Sequence, residues 1–254
     1  MATGSVTTTA KAADLLTREA LHNRLLAVGE SRYHHRHPFH LRMHEGQLTR
    51  GQIQAWALNR YYYQSRIPIK DALVLAKSDD PAFRRAWRKR ILDHDGDQDG
   101  YGGIEKWIRL AEASGLSRQQ VLPCTGVLPG VRYAVDAYLA LVRDHSLLIA
   151  VASSLTELFS RNLISLRMDK MKVHYPYLVP GLAYFVGRLT QAPEDAGFAL
   201  DFVSTHAGTR AEQEQVIHAL EQKCAILWAQ LDAIDYAYVT PGNIPPGSFV
   251  PVGE

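Results

Sequence analysis

Cysteine is scarce, with only Cys124 and Cys224 in 254 residues. Two distant thiols do not make a disulfide framework, so the chain must hold itself together by its core, and a reducing compartment is the expected setting. An excess of charge of one sign is lacking too. Lys and Arg number 28 against 26 Asp and Glu, a net charge of +2, without the basic surplus of a nucleic-acid binder. No uninterrupted run approaches the roughly 18 apolar residues of a membrane span. The opening MATGSVTTTAKAADLL has no apolar stretch of the kind a secretory signal requires. The expectation is a cytoplasmic protein that engages neither nucleic acid nor membrane. Strands that alternate apolar and polar residues with turn chemistry between them are also missing.

What is present is helical period. Hydrophobic residues make up 46% of the chain, enough for one sizeable core. Residues 1–12 read as a frayed end. A helix is predicted over about 14–28, with Leu21, Leu25 and Val28 on one side and Gly29 as a stop. Residues 33–44 read as a histidine-rich connection. Thr49 with Gln52 is a capping-box pattern that opens a long helix through Pro68. Asp80-Pro81 opens another, ending near His94 before the glycine-rich run DGDQDGYGG. Further helices are predicted over about 104–114, 131–144, 147–169, 180–191, 194–207 and 210–238. The fold class is therefore all-α, a helical bundle over 1–239. Residues 240–254, TPGNIPPGSFVPVGE, read as an extended linker or loose end.

Several polar residues stand in register with core residues. In the last helix Val216, Leu220, Leu227, Leu231 and Ile234 form an apolar row, and spacings of three and four put Lys223 on it. A lysine there must snorkel out or meet an anion, since burying an unpaired ion costs several kcal/mol. In the long second helix Ile53, Trp56 and Ile67 share a face with Arg60, Tyr63 and Gln64, and Lys70 continues the row. Phe83, Trp87 and Ile91 lead to His94, with Arg90 one turn earlier. Tyr184 and Arg188 are an i, i+4 pair, and Arg167 follows Thr156, Ser160 and Leu163 at helical spacing. Any one case reduces to a salt bridge or snorkelling. Several helices doing so together predict a pocket for a small, multiply anionic molecule, and the guanidinium fork suits carboxylates.

Metal readings fare worse. Asp95-Gly-Asp97-Gln-Asp99-Gly100 opens like a calcium loop, but the twelfth position, where an EF-hand needs its bidentate glutamate, is Lys106. A di-iron bundle needs two inward Glu-x-x-His pairs, and only Glu19 with His22 is found. His34, His35, His37, His40 and His44 crowd one segment without a cysteine or carboxylate at ligand spacing, which leaves metal or haem ligation open beside structural roles. No local signature raises either cysteine above a buried structural thiol. His94 can serve as a neutral base beside cations or as a histidine favoured by a helix C-terminus.

Taken together, NRYYYQSRIPIKDA, RILDHDGDQDGYGGIE, LPGVRYAVDAYL, SSLTELF and ILWAQLDAIDYAY resemble the pyrroloquinoline-quinone synthase family, in that family's order, from about Tyr33 to Tyr238. The resemblance implies a compact seven-helix, haem-oxygenase-like bundle working as a homodimer. It implies an oxidase with no metal and no organic cofactor. Such an enzyme closes the third ring of a bicyclic tricarboxylate precursor bearing a free amine. It removes eight electrons with O2 and releases H2O2. The family's substrate contacts carry over to Tyr33, His34, Arg60, Gln64, Lys70, Arg90, Tyr138, Thr156, Arg167 and Lys223. Its oxygen-site residues carry over to His94 as general base, Tyr184 as hydrogen-bond donor and Arg188 as stabiliser of reduced oxygen.

Two departures stand out: Ile164 occupies a position where the family has a pocket histidine, and the segment before Tyr184 is one residue short. The family also includes fusions to a small peptide-binding protein of the same pathway, for which the proline-rich tail would be the linker. The alternatives within this architecture are a thiaminase-like cysteine hydrolase and a non-enzymatic carrier of an anionic metabolite.

Overall fold

The computed structural model describes residues 15–252; residues 1–12, read above as a frayed end, lie outside them. Helix α1 (Arg18–Arg32) starts where the Thr17 side chain accepts from the Ala20 N–H. It does not stop at Gly29. The glycine serves a close approach instead, since a Cβ there would lie 2.2 Å from the Phe159 ring.

The expected connection over 33–44 is itself ordered into a 3-10 turn (His34–Arg36) and helix α2 (Pro38–His44). Pro38 sits in the first turn with its φ preset, and His37 Nδ1 accepts from the Phe39 N–H at 3.1 Å.

Helix α3 (Arg50–Leu75) opens on the predicted Thr49/Gln52 capping box and runs on through Pro68. The helix predicted from Asp80 to His94 divides at Arg88 into α4 (Pro81–Trp87) and α5 (Lys89–Asp95). Helix α6 (Gly102–Ser114) ends on Gly115 at φ +106°, a left-handed cap that favours glycine. Short α7 (Arg118–Val121) leads to α8 (Pro129–Asp144).

The helix predicted over 147–169 is broken. Helix α9 (Leu147–Ala152) gives way at Ser153 and Ser154 to a 3-10 turn (Leu155–Phe159), and α10 (Ser160–His174) follows. The Ser153 hydroxyl bonds the Ala150 carbonyl at 2.7 Å, local bonding that competes with the helical ladder. Beyond the 3-10 turn Pro176–Gly181, helix α11 (Ala183–His206) joins what the sequence divides at Pro193, and α12 (Arg210–Tyr238) closes the bundle.

The described residues contain no strand, as expected, and their helices divide more finely than seven. One window in Leu147–His174 reaches a mean hydropathy of 1.3, more apolar than the sequence reading allowed, yet 61% of it is buried inside the bundle.

The tail is extended but not loose. The Phe249 N–H bonds the Gly126 carbonyl at 2.9 Å, the Tyr238 hydroxyl bonds the Phe249 carbonyl at 2.9 Å, and Pro251 packs on Gly51.

The core falls into two apolar clusters. One gathers Trp56, Trp107, Val131, Ile164 and Phe185; the other gathers Leu21, Ile67, Val74, Tyr138, Leu163 and Leu227. Members of both clusters line a single cavity, and Tyr63 packs against both.

Candidate functional site

One cavity, partly open to solvent, gathers most of the sequence-predicted residues. Helix α3 supplies Arg60, Tyr63, Gln64, Lys70 and Asp71 from one face, as helical spacing predicts. Helix α5 brings Arg90 and His94, α10 brings Arg167, and α11 brings Tyr184, Arg188 and Asp195. Tyr33, His34, Tyr138 and Thr156 complete the sequence-predicted set on the wall. Lys223 alone among the predicted residues lies behind the wall, 1% exposed. Its Nζ donates to the Tyr63 hydroxyl at 2.9 Å and sits 3.1 Å from the Tyr138 ring centroid. Ile164 is on the wall, so an apolar surface stands where the resemblance leads one to expect imidazole.

The cations fall into two groups. Lys70 pairs with Asp71, and Arg90 Nε reaches Asp195 at 3.1 Å. Arg188 holds Glu157 at 2.8 Å and Asp195 at 3.3 Å. For these three the salt-bridge reading of an inward cation therefore holds. Among the described residues no carboxylate pairs with Arg60, Arg167 or Lys223. Arg60 donates to Gln230 at 3.3 Å and lies 3.9 Å above the Tyr63 ring. Arg167 leans on His40. Because His40 Nδ1 donates to the His34 carbonyl at 2.9 Å, its Nε2 is left to accept from Arg167 Nη2 at 3.1 Å. Desolvation lowers the pKa of Arg167 to about 10. It pushes Lys223 well below the ordinary lysine value, and the charges of Arg60 and Lys70 push the same way. An anion entering the cavity relieves both costs.

His94, Tyr184 and Arg188 line the same cavity. His94 Nδ1 lies 3.0 Å from the Arg90 carbonyl, which can only accept, so Nε2 keeps its lone pair. Burial first, and then the Arg188 charge, bring the His94 pKa down to about 4. The imidazole is thus neutral at neutral pH, with Nε2 free to accept a proton. Arg188 is held as a firm cation: burial opposes its charge, but Glu157 and Asp195 outweigh that cost. Burial also opposes ionisation of Glu157, yet Arg188 and Arg90 hold its pKa at about 2. The Tyr184 hydroxyl donates to Gln64 Oε1 at 3.1 Å, so its proton faces α3 in this structure.

Sequence reasoning missed Asp71, Glu157 and Asp195. Thr156 and Glu157 both reach the cavity from the 3-10 turn 155–159, and the helical spacing of Glu157 from Ser160, Ile164 and Arg167 is a signal that could have found it. Asp195 stands two turns beyond Arg188 on one continuous helix, a relation hidden by ending a helix before Pro193. Asp71 was available from its place beside Lys70. Neither thiol lines the cavity, and burial raises the pKa of both, that of Cys224 to about 12, against a nucleophilic role.

Fold and site together define a helical bundle of the haem-oxygenase type with an internal cavity lined by cationic side chains. A solved structure from Shewanella denitrificans os217, described as a domain of unknown function with a heme oxygenase-like fold, superposes with a TM-score of 0.69. It shares 12% identity and covers 91% of this chain and 96% of its own. A model of the TENA/THI-4/PQQC family matches residues 22–233, and the chain belongs to that family. It is 53% identical over 238 residues to the pyrroloquinoline-quinone synthase of Gluconobacter oxydans (strain 621H), covering 93% of this chain and 99% of that one. It is 52% identical to the bifunctional coenzyme PQQ synthesis protein C/D of Methylorubrum extorquens, covering 93% of this chain and 64% of the relative.

Proposed function

We propose that this chain is a pyrroloquinoline-quinone synthase. It takes a bicyclic precursor with three carboxylates and a free amine, closes the third ring and completes an eight-electron oxidation by O2. The observation that carries this reading is two cations without carboxylate partners, Arg60 and Arg167, on the wall of one cavity, with Lys223 behind that wall and a neutral histidine beside a fixed guanidinium. Identity of 53% over nearly the whole length to a synthase supports it.

In this reading Arg60 and Arg167 hold carboxylates, Lys223 adds its charge from behind the wall, and His94 Nε2 takes the proton released as the ring system becomes electron-rich. Electrons then pass from the deprotonated substrate to O2 in pairs, each pair with two protons giving H2O2. Arg188 offsets the negative charge that builds on reduced oxygen, and Tyr184 can turn its hydroxyl from Gln64 towards the same species. No metal or organic cofactor takes part. The working form is a cytoplasmic homodimer, which sedimentation of the purified chain would check.

Purified protein mixed with the precursor in air tests the reading. Growth of the quinone absorbance with peroxide release is expected. Precursor bound but unchanged would favour an anion carrier instead.

A further inference from the structure

Lys223 has an ammonium group buried behind the cavity wall, and among the described residues no carboxylate pairs with it. What separates it from the cavity is Tyr63 and Tyr138. Its Nζ donates to the Tyr63 hydroxyl at 2.9 Å. A phenol that accepts from an ammonium keeps one O–H of its own to give, and that proton finds no acceptor among the described residues. Tyr63 lines the cavity and is partly open to it. Its ring is fixed by the Arg60 guanidinium 3.9 Å from its centroid and by the Tyr138 ring, 6.2 Å away and tilted by only 10°.

We infer that Tyr63 is the substrate-binding group through which Lys223 acts: its O–H is the donor offered to a ligand carboxylate, and Lys223 is the buried charge that polarises it. A carboxylate beside Lys223 would have cancelled that charge. Burial and the neighbouring cations weaken the hold of Lys223 on its proton, but a phenol and an aromatic face do not cancel its charge, and an anion on the other side of the wall favours the ammonium form, so the positive field is offered to that anion. A cation-backed phenol is a stronger donor than a free one because the hydrogen bonds in such a chain polarise one another. The position matters as well as the charge. With its ring beneath Arg60, Tyr63 offers a carboxylate a phenol close to a guanidinium. The identity of the ligand rests on the proposed function; the role of Tyr63 in holding an anion does not.

The test uses the full chain with Tyr63→Phe, which keeps the ring, the Arg60 contact and the Tyr138 stack and removes only the hydroxyl. Binding of the precursor without oxygen, binding of benzene-1,3,5-tricarboxylate, and turnover at saturating precursor in air are measured in wild type, Tyr63→Phe, Lys223→Met and the double variant. Tyr63→Phe is expected to raise Kd for both anions roughly tenfold to a hundredfold, as loss of a charge-backed hydrogen bond does. Saturating turnover should change far less than Kd. On the Lys223→Met background the same substitution should add no more than about twofold, because the two groups act as a unit. A Kd within about twofold of wild type, or effects that simply multiply across the two backgrounds, would overturn the inference. A lowered thermal midpoint with unchanged Kd would do the same, since that marks a purely structural tyrosine. Where wild type binds both anions but never converts the precursor, the proposed function fails and Tyr63 is judged on Kd alone. Where wild type binds neither anion, both fail.

Discussion

Individual residues in this cavity differ in role because their neighbours differ. His94 and His40 are both buried imidazoles, each with Nδ1 donating to a backbone carbonyl. The free nitrogen of His40 faces Arg167, so His40 orients a cation. His94 sits near Arg188, on the wall, with its lone pair uncommitted, so it can receive a proton. His94→Ala should therefore still bind the precursor and lose the oxidative steps by at least about a hundredfold, the usual scale of general-base loss. Rapid-mixing absorbance would show bound precursor without quinone, and unchanged turnover would remove His94 from the mechanism. Arg188→Gln should slow oxygen reduction on a similar scale with little change in precursor affinity; a variant that loses affinity instead would assign Arg188 to a carboxylate. The residue types of this site were legible in the sequence because a cation in register with leucines is improbable unless something charged awaits it. Their carboxylate partners were not, because pairing depends on which helices meet, and periodicity within one helix does not contain that.

At the level of elements, the site depends on where helices stop. The long helices announced themselves: the Thr49 capping box, Asp80 with Pro81 and the Gly115 terminus all fall where chain chemistry places them. The breaks did not. Arg88 and the Ser153–Ser154 pair interrupt segments whose apolar period continues across them, and Pro193 fails to interrupt one that it seemed to end. At Ser153 local hydroxyl bonding competes with the ladder, whereas at Pro193 the continuing helix overrides a local preference of about 3 kcal/mol. The turn Pro176–Gly181 is a junction sensitive to a single atom. A Cβ on Gly181 would lie 2.5 Å from Leu110 Cα, a backbone atom of α6 that cannot swing aside. Gly181→Ala should cost about 1 to 3 kcal/mol of stability and push Tyr184 and Phe185 away from Trp107, which now meets Tyr184 edge-on at 4.9 Å. Denaturant unfolding would measure the loss, and a variant as stable as wild type would contradict the packing described.

The whole molecule tolerates this polar interior by keeping most of it in one charge state. His34 and His40 are held well below the ordinary histidine pKa by burial and neighbouring cations, and His44 and His94 are each brought down to about 4. Unfolded, these rings protonate near 6.5. Their contribution to stability is therefore complete above pH 6.5 and is lost as pH falls towards 4, His94 alone accounting for on the order of 3 kcal/mol. Glu157, with a pKa of about 2 against an ordinary 4.5, adds a second loss below pH 4.5. The thermal midpoint should drop steeply between pH 6.5 and 4, and a flat profile there would mean that the histidines are not buried as described. Above this range the cavity offers unpaired cations to an anion and a neutral base to its protons, which is the combination the proposed chemistry needs. The most direct measurement is a single turnover. Protein stripped of metal is loaded with precursor under argon and then mixed with oxygenated buffer. Quinone forming in step with peroxide, at a rate independent of residual iron, is the expected result; precursor that stays unchanged, or conversion that follows iron content, would contradict it.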